Sequence, residues 1–147
     1  MLSTASHIIN SLPYSKPFLF VDRITEVDEN GITAEYTFRT DEYFYEGHFV
    51  NNPVTPGVIL TECMAQISLA AFGSYLLGTI KESAKLSIAM SHTDVDFLHP
   101  VLPGEKVRVI ARKEYFRFNK LKCSVKMLNE SDTVVCKGLL SGMIKYL

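Results

Sequence analysis

One histidine and one carboxylate in the sequence have a spacing and a setting that could support proton-transfer chemistry. Between His48 and Ile80 the only side chain with a full charge at neutral pH is that of Glu62, although the chain holds 15 basic and 16 acidic residues. An ionised carboxylate in apolar surroundings is costly unless it is paired or takes up a proton. Imidazole titrates close to neutral pH. We therefore predict that His48 and Glu62 form an acid–base pair, with the pKa of Glu62 raised by burial.

A helix that begins between these two residues would add a binding site for negative charge. Pro53 and Pro56 exclude regular structure before the helix. The run Thr55-Pro56-Gly57 predicts a helix start, with Thr55 as the N-cap and Pro56 as the first helical residue. The free amide of Gly57 and the helix dipole would then favour an anion.

The position of Glu62 on this helix fits that arrangement. It lies five residues beyond Gly57, which is roughly 7.5 Å along a helix axis, and helical side chains lean toward the N-terminus. Gln66 follows one turn later on the same face and could hold Glu62 by a hydrogen bond, with plain packing as an equal alternative. The predicted substrate-binding residues are Gly57, Val58, Phe49 and Gln66.

The segment from Gly57 to Leu77 predicts one long helix that is apolar on almost all sides. Such a helix has to be enclosed by the rest of the protein. It is long enough to raise the question of a membrane span, but polar residues interrupt it and basic residues are lacking just before it. We predict a buried core helix, weakened at its far end by Gly73 and ended at Gly78.

Extended segments flank this helix in the sequence. A short helix at Ser3 to Leu12 is expected first, followed by strands at Leu19 to Val27 and Ile32 to Thr40. Asn30-Gly31 between these strands predicts a hairpin turn, because both residues tolerate positive φ. Four strands are predicted after the helix, at Leu86 to Phe97, Lys106 to Phe118, Leu121 to Leu128 and Thr133 to Tyr146. This order predicts an α+β fold, a curved antiparallel β-sheet wrapped around one long central helix, in a single domain spanning 1–147.

The composition limits the class of protein. With 147 residues, 47% hydrophobic and 21% charged, the chain is typical of a soluble globular protein. Cys63, Cys123 and Cys136 are odd in number and far apart, which argues against a disulfide framework or a zinc site and favours a reducing cytoplasm. Cys63 is predicted to be a core residue rather than a nucleophile.

The charges are distributed unevenly between the two parts of the chain. Residues 1–100 carry five basic and twelve acidic side chains, whereas residues 101–147 carry ten basic and four acidic ones. This asymmetry suggests an acidic partner on the C-terminal part. Strand faces that simply point their charges to water are an equal alternative.

The motifs around the acid–base pair resemble those of the β-hydroxyacyl-acyl carrier protein dehydratases of fatty acid synthesis. The matching segments are Pro17-Phe18-Leu19-Phe20-Val21-Asp22-Arg23, Gly47-His48-Phe49, Pro53-Val54-Thr55-Pro56-Gly57-Val58, Glu62-Cys63-Met64-Ala65-Gln66 and Pro100-Val101-Leu102-Pro103-Gly104-Glu105. The resemblance extends from about residue 13 to the end of the chain. It implies the hotdog fold, in which a sheet is rolled around a central helix.

The resemblance also implies a reaction and its partners. His48 would act as the base on the α-proton of a β-hydroxyacyl thioester, Glu62 as the acid for the departing hydroxyl, and the Gly57 amide would hold the charge on the thioester oxygen. An acyl carrier protein would present the substrate on its phosphopantetheine arm. No metal, organic cofactor, nucleic acid or membrane is implied. Two chains would pair with each active site at their interface, and a trimer of dimers is left open.

Two segments depart from the family pattern. The family has His-Phe-Pro-Gly-Arg-Pro where this chain has His48-Phe49-Val50-Asn51-Asn52-Pro53, and Asn51 can take the left-handed conformation that glycine would supply. Before Pro100 the family carries basic residues, whereas this chain has Asp94, Asp96, Leu98 and His99. A carrier protein would then need another docking surface, and we predict a basic strip formed by Lys106, Arg108, Arg112, Lys120, Lys122 and Lys126. An unusual carrier, or an acyl group of a secondary-metabolite pathway, is the alternative.

Two other functions fit parts of the pattern. A thioesterase on the same fold needs a carboxylate to activate water, which Glu62 could supply, but it leaves His48 without a role. A catalytically idle acyl-binding or scaffold subunit is kept open by the altered loop at Val50 to Asn52. Glu rather than Asp at the acid position favours dehydration without isomerisation of the new double bond.

Overall fold

The six strands in the described part of the chain form one antiparallel sheet. The structure, a computed structural model, describes residues 4–78 and 85–147, so Ser3 of the predicted first helix lies outside the described residues. The strand order is β1-β2-β4-β5-β6-β3. The elements are α1 (Thr4–Ser11), β1 (Arg23–Asp28), β2 (Gly31–Thr37), a 3-10 helix (Tyr43–Glu46), a central helix, β3 (Leu86–Phe97), β4 (Lys106–Arg117), β5 (Lys120–Asn129) and β6 (Val134–Tyr146). The predicted α+β architecture, with two strands before the central helix and four after it, is confirmed.

The central helix is enclosed by the sheet. It is α-helical at Gly57–Ala65, π-helical at Gln66–Ala71 and α-helical at Phe72–Leu77. The helix is long and apolar enough to cross a membrane, but 78% of its most apolar stretch is buried inside the protein, as expected for a core helix. It ends before Gly78, whose φ of 87° confirms the predicted stop. The predicted single helix from Gly57 to Leu77 is confirmed, and its middle part, Gln66–Ala71, forms wider π-helical turns.

Gly31 and Gly73 are required by close packing rather than by the roles that the sequence predicts for them. Neither Asn30 nor Gly31 has a positive φ, and the hairpin turn is held instead by Asp28, which accepts hydrogen bonds from both amides at 2.8 and 3.2 Å. A Cβ on Gly31 would lie 2.3 Å from the Ala111 carbonyl oxygen of β4. Gly73 is buried, and a Cβ there would lie 2.7 Å from a side chain of β6. Gly73 therefore brings the helix close to the sheet.

Strand β3 forms one edge of the sheet and, among the residues that the structure describes, pairs with a strand on one side only. It pairs with β6 over its whole length, yet residues 89–94 are exposed on both faces. By contrast, β4 and β5 alternate between buried residues under the helix and more exposed residues on the outer face. The fold thus leaves a twelve-residue edge strand open beside the start of the central helix.

Candidate active site

The N-cap of the central helix lies one residue later than the sequence predicts. This N-cap is Pro56, whose carbonyl accepts the first two helical hydrogen bonds at 2.9 and 3.1 Å. The assignment of Thr55 as the N-cap is wrong, because its hydroxyl is bonded to that of Tyr45 at 2.6 Å. The amides of Gly57 and Val58 have no acceptor in the described parts of the chain, so they are free to bind an anion.

An aromatic ring covers the helix start. A Cβ built on Gly57 would lie 3.2 Å from the ring of Phe97, the last residue of β3. Glycine at this position therefore lets the ring approach the free amides closely. Phe97 and Val58 are themselves 52% and 76% exposed, so this apolar corner is only half covered by one chain.

His48 lies in the loop between the 3-10 helix and the central helix. Its Nδ1 is 2.9 Å from the carbonyl oxygen of Val54, and the Val54 amide donates to the His48 carbonyl at 2.9 Å. Because a carbonyl oxygen only accepts hydrogen bonds, Nδ1 carries the proton of the neutral imidazole. Nε2 then keeps its lone pair and is the ring atom able to act as a base.

The altered residues after His48 still form a defined turn. Phe49 and Asn52 exchange backbone hydrogen bonds of 3.0 and 2.9 Å. Asn51 has a φ of 58°, so the predicted left-handed conformation is confirmed. The ring of Phe49 stacks on the His48 imidazole with the centroids 4.1 Å apart. The loop thus keeps a tight backbone without the proline and arginine of the family pattern.

Glu62 is half-buried and is held by a fully buried glutamine. Gln66 Nε2 donates to Glu62 Oε2 at 2.9 Å, so the hydrogen bond that the spacing predicts is present. The same nitrogen donates to the Phe18 carbonyl at 3.0 Å, and Gln66 Oε1 accepts from the Phe20 amide at 2.8 Å. Burial raises the pKa of Glu62 above its ordinary value, and the Gln66 hydrogen bond opposes that rise.

We expect Glu62→Gln to raise the melting temperature of the protein at neutral pH. Burial raises the folded-state pKa of Glu62 above its unfolded value, so wild-type stability falls as pH rises from the unfolded to the folded pKa. A neutral amide of the same size avoids that loss and can still accept the Gln66 hydrogen bond. Melting curves over a pH series should show a melting temperature a few degrees higher for the variant than for the wild type at neutral pH. This difference should disappear as the pH is lowered. A higher melting temperature for the wild type than for the variant at neutral pH would contradict the view that burial raises the pKa of Glu62.

Within one chain, the two predicted catalytic residues contact different groups. His48 is bonded to Val54 and Glu62 to Gln66, and no hydrogen bond or ion pair joins His48 to Glu62 in residues 4–78 and 85–147. Phe49, next to His48, is 55% exposed. Within the described residues of one chain, the two predicted catalytic side chains are therefore not hydrogen-bonded to each other.

Two groups near these residues are not apparent from the sequence. Glu42 is buried against Tyr36 and Arg39, but it lies between charged and aromatic residues with no apolar run to single it out. Tyr14 is half-buried, and burial together with the charge of Glu62 raises its pKa to about 12. Tyr14 meets Glu62 only when distant segments come together, whereas Glu42 has its partners nearby in the chain and only the burial of its carboxylate is hidden from the sequence.

Among the described residues, the cysteines and the other potential metal ligands form no second candidate site. Cys63 is fully buried, its Sγ donates to the Phe20 carbonyl at 3.3 Å, and burial raises the pKa of its thiol, which confirms it as a core residue. Burial also raises the pKa of Cys123 and Cys136 to about 12. In the part of the chain that the structure describes, no group of three or more His, Cys, Asp or Glu side chains could hold a metal ion.

The architecture defines the class of protein, since a six-stranded antiparallel sheet wrapped around one helix is the hotdog fold. The structure is similar to a chain of the dehydratase heterocomplex ApeI:P from Xenorhabdus doucetiae, with a TM-score of 0.76 and 13% identity over 93% of this chain and 90% of that chain. It is also similar to the PaaI protein of the E. coli phenylacetic acid degradation operon, with a TM-score of 0.61 and 17% identity over 82% of this chain and 80% of that chain. At these identities the similarity shows the fold.

The sequence then gives the family. The FabA-like domain matches residues 12–136, and the chain belongs to that family. The 3-hydroxyacyl-[acyl-carrier-protein] dehydratase FabZ of Lactococcus lactis subsp. cremoris is 35% identical over 141 residues, 96% of this chain and 92% of that protein. The proteins of the same name from Protochlamydia amoebophila and Myxococcus xanthus are 38% and 37% identical over 68% and 69% of this chain. The chain spans 63% and 66% of the length of these two relatives.

Proposed function

We propose that this protein dehydrates β-hydroxyacyl thioesters carried on an acyl carrier protein, with His48 as the base and Glu62 as the acid. The names of its relatives support this substrate class. The observation that carries the proposal is the chemical state of the two side chains: His48 keeps a free lone pair on Nε2, and Glu62 has a raised pKa one and a half turns from free helix amides. A thioesterase would use the carboxylate and leave the oriented imidazole without a role.

Each group has a defined part in the elimination. His48 Nε2 removes the α-proton of the acyl chain, and the amides of Gly57 and Val58 meet the negative charge that develops on the thioester oxygen. Protonated Glu62 gives its proton to the β-hydroxyl, which leaves as water as the α,β double bond forms. His48 is then positively charged and Glu62 negatively charged, and transfer of one proton between them through solvent restores the starting state.

The acid and the base of one site come from two copies of the chain in this proposal. The open edge of β3 supports it, because an exposed edge of twelve residues is normally covered by another strand. Pairing of two β3 strands about a two-fold axis would continue the sheet across both chains. It would also cover the exposed corner at Val58 and Phe97 and bring the partner copy to the side of the sheet where Glu62 lies. A dimer is the minimal active unit, and the cytoplasm is its proposed compartment.

For the carrier protein, we propose a docking surface centred on Lys126 and extended to Lys137 of β6. The basic strip does lie on the outer face of the sheet, but Lys106 and Arg108 are already paired with Glu35 and Asp132 at 3.2 and 3.1 Å. Lys126 lies directly opposite Lys137, and neither has a carboxylate within 4.0 Å among the described residues. An acidic partner would relieve this like-charge pair.

A shallow groove makes this surface suitable for a protein partner. It has a volume of about 480 Å³ and lies over β3 to β6, with Ile110 and Leu139 at its apolar base. Arg112, Lys126 and Lys137 line one part of it, and Asp94 and Asp96 line the β3 side. The cations thus lie on the strands away from the edge where the second copy is proposed to bind.

We expect Lys126→Glu combined with Lys137→Glu to weaken the use of carrier-bound substrate only. KM for a β-hydroxyacyl carrier protein should rise roughly tenfold and become less sensitive to salt, because rim charges act mainly on encounter. KM for the same acyl group on free pantetheine should stay unchanged. Lys145→Glu, at the far end of β6, is the matched control. Equal losses on both substrates would contradict docking at this surface.

One assay separates the proposed function from its rivals. The pure protein is incubated with a β-hydroxyacyl carrier protein while enoyl absorbance and free thiol are followed together. Rising enoyl absorbance without thiol is the expected result. Thiol release would identify a thioesterase, and no change in either signal would identify an idle acyl-binding or scaffold subunit.

A further inference from the structure

The loop that carries His48 starts at a buried carboxylate that the proposed reaction does not use. The side chain of Glu42 is 1% exposed, its Oε2 accepts a hydrogen bond from the Tyr36 hydroxyl, and Arg39 Nη2 lies 3.5 Å from its Oε1. Buried carboxylates are rare unless they are paired and hydrogen-bonded for a reason. Glu42 directly precedes the 3-10 helix, so its bond to Tyr36 joins the start of that helix to β2.

The side chain of Glu42 does not serve its own helix. Glu42 is the N-cap of the 3-10 helix Tyr43–Glu46, a position where an acidic side chain commonly accepts a helix amide. No such side-chain bond is present here. The carboxyl group is turned toward the sheet, where its two oxygens meet Tyr36 and Arg39.

Short backbone links connect Glu42 to His48. The Tyr45 amide donates to the Glu42 carbonyl at 3.1 Å, and the His48 amide donates to the Phe44 carbonyl at 3.1 Å. These two bonds overlap within one turn, so a displacement of Glu42 moves the backbone of His48. The Tyr45 hydroxyl also joins this turn to Thr55, just before the central helix, at 2.6 Å.

Aromatic packing alone would hold this turn less firmly than the hydrogen bonds of Glu42 do. Phe44 lies against Phe20 and Phe38 with ring centroids 6.3 and 6.4 Å apart. Such contacts are non-directional compared with a hydrogen bond to a buried charge. The directional contacts between β2 and the start of the turn are those of Glu42.

We propose that Glu42 is a positioning residue, which fixes the 3-10 helix to Tyr36 of β2 and to Arg39 just after that strand, and so sets the orientation of the His48 imidazole. Its effect on turnover rests on the proposed function, whereas its effect on the imidazole does not. When the turn is held, Nδ1 of His48 stays within hydrogen-bond distance of the Val54 carbonyl. When it is released, that bond is lost and the imidazole samples both neutral tautomers.

The test compares Glu42→Gln and Tyr36→Phe with Glu46→Gln, an exposed carboxylate in the same 3-10 helix. Long-range proton–nitrogen NMR spectra of the imidazoles report which ring nitrogen carries the proton, with the His48 signals assigned by their loss in His48→Ala. Turnover is measured with β-hydroxybutyryl pantetheine. Both test variants should lose the Nδ1-protonated signature, and kcat should fall about 10- to 100-fold while KM changes little, as expected for a misplaced base. Glu46→Gln should match the wild type in both.

The outcomes decide between positioning and general support of the fold. An unchanged His48 signature in the test variants would overturn the proposal, even if their activity fell. If the wild type shows no dehydration but the signature is lost in the variants, the positioning role stands and the proposed function fails. Tyr36→Phe leaves the side chains of Glu42 and Arg39 unchanged. It therefore tests the positioning role even if Glu42→Gln does not fold.

Discussion

His48→Ala and Glu62→Gln should each abolish dehydration, and a mixture of the two inactive proteins should recover activity. A positioned acid or base typically contributes about 10²–10⁴-fold to a rate, so each loss should be of that size. Recovery is expected because the proposed site takes His48 from one copy and Glu62 from the other. A mixed dimer then holds one site with both residues intact and one site with neither.

The size of the recovery follows from random pairing of the two variant chains into dimers. If chains exchange freely, about half of the dimers are mixed and each has one working site of two, so activity should reach about a quarter of the wild type. The control is a mixture of His48→Ala with the double variant, in which every chain lacks the histidine. If both variants are inactive and mixing them restores no activity, His48 and Glu62 act within one chain and the proposed interface is wrong. Light scattering on the same samples distinguishes a dimer from a trimer of dimers.

Gln66→Leu should cause the largest loss of stability among the site residues and should also change the pH dependence of the reaction. Gln66 is fully buried and satisfies the Phe18 carbonyl and the Phe20 amide. Leaving two buried backbone groups unpaired costs about 1–3 kcal/mol each, or about 2–6 kcal/mol together. Urea denaturation measures this loss.

The change in pH dependence has a definite sign. The Gln66 hydrogen bond lowers the pKa of Glu62, so its removal lets burial raise that pKa further. Glu62 acts in its protonated form, and activity is therefore lost as pH rises through its pKa. The alkaline limb of the pH–rate profile should move to higher pH in Gln66→Leu.

Ser68→Ala is the matched control for the same π-helical segment. The Ser68 hydroxyl is buried with no hydrogen-bond partner among the described residues, so its removal leaves no other group unpaired and should not destabilise the protein. The pH–rate profile should be that of the wild type. If Gln66→Leu behaved like Ser68→Ala in both measurements, the buried hydrogen bonds of Gln66 would not have the proposed role.

Local patterns in the sequence were sufficient for most of the fold. The alternation of apolar and polar residues predicted β5, and the bounds of β3 at Leu86–Phe97 agree with the structure. The apolar run after Pro56 predicted the enclosed helix, and the turn at Asn51 followed from the conformations that asparagine tolerates. These features depend on residues close in the chain, where side-chain size and polarity restrict the backbone directly.

The site was predicted only in part. The isolation of Glu62 in an apolar run singled it out, and its spacing from Gln66 predicted the hydrogen bond between them. The other two bonds of Gln66, to Phe18 and Phe20, join residues 48 and 46 positions apart, and no local pattern encodes them. β1 accordingly begins at Arg23 rather than at Leu19, because the residues before it are bonded to the helix.

The sequence by itself therefore determined most of the elements and singled out the two side chains proposed to be catalytic, through periodicity, turn residues and one carboxylate in an apolar helix. The tertiary structure decided the contacts that the spacing did not predict: Gln66 with Phe18 and Phe20, Val54 with His48, and the buried Glu42 with Tyr36 and Arg39. It also assigned Gly31 and Gly73 to close packing. The physical reason is range, since propensity acts over a few residues, whereas burial and hydrogen bonding depend on groups that meet only when the sheet encloses the helix.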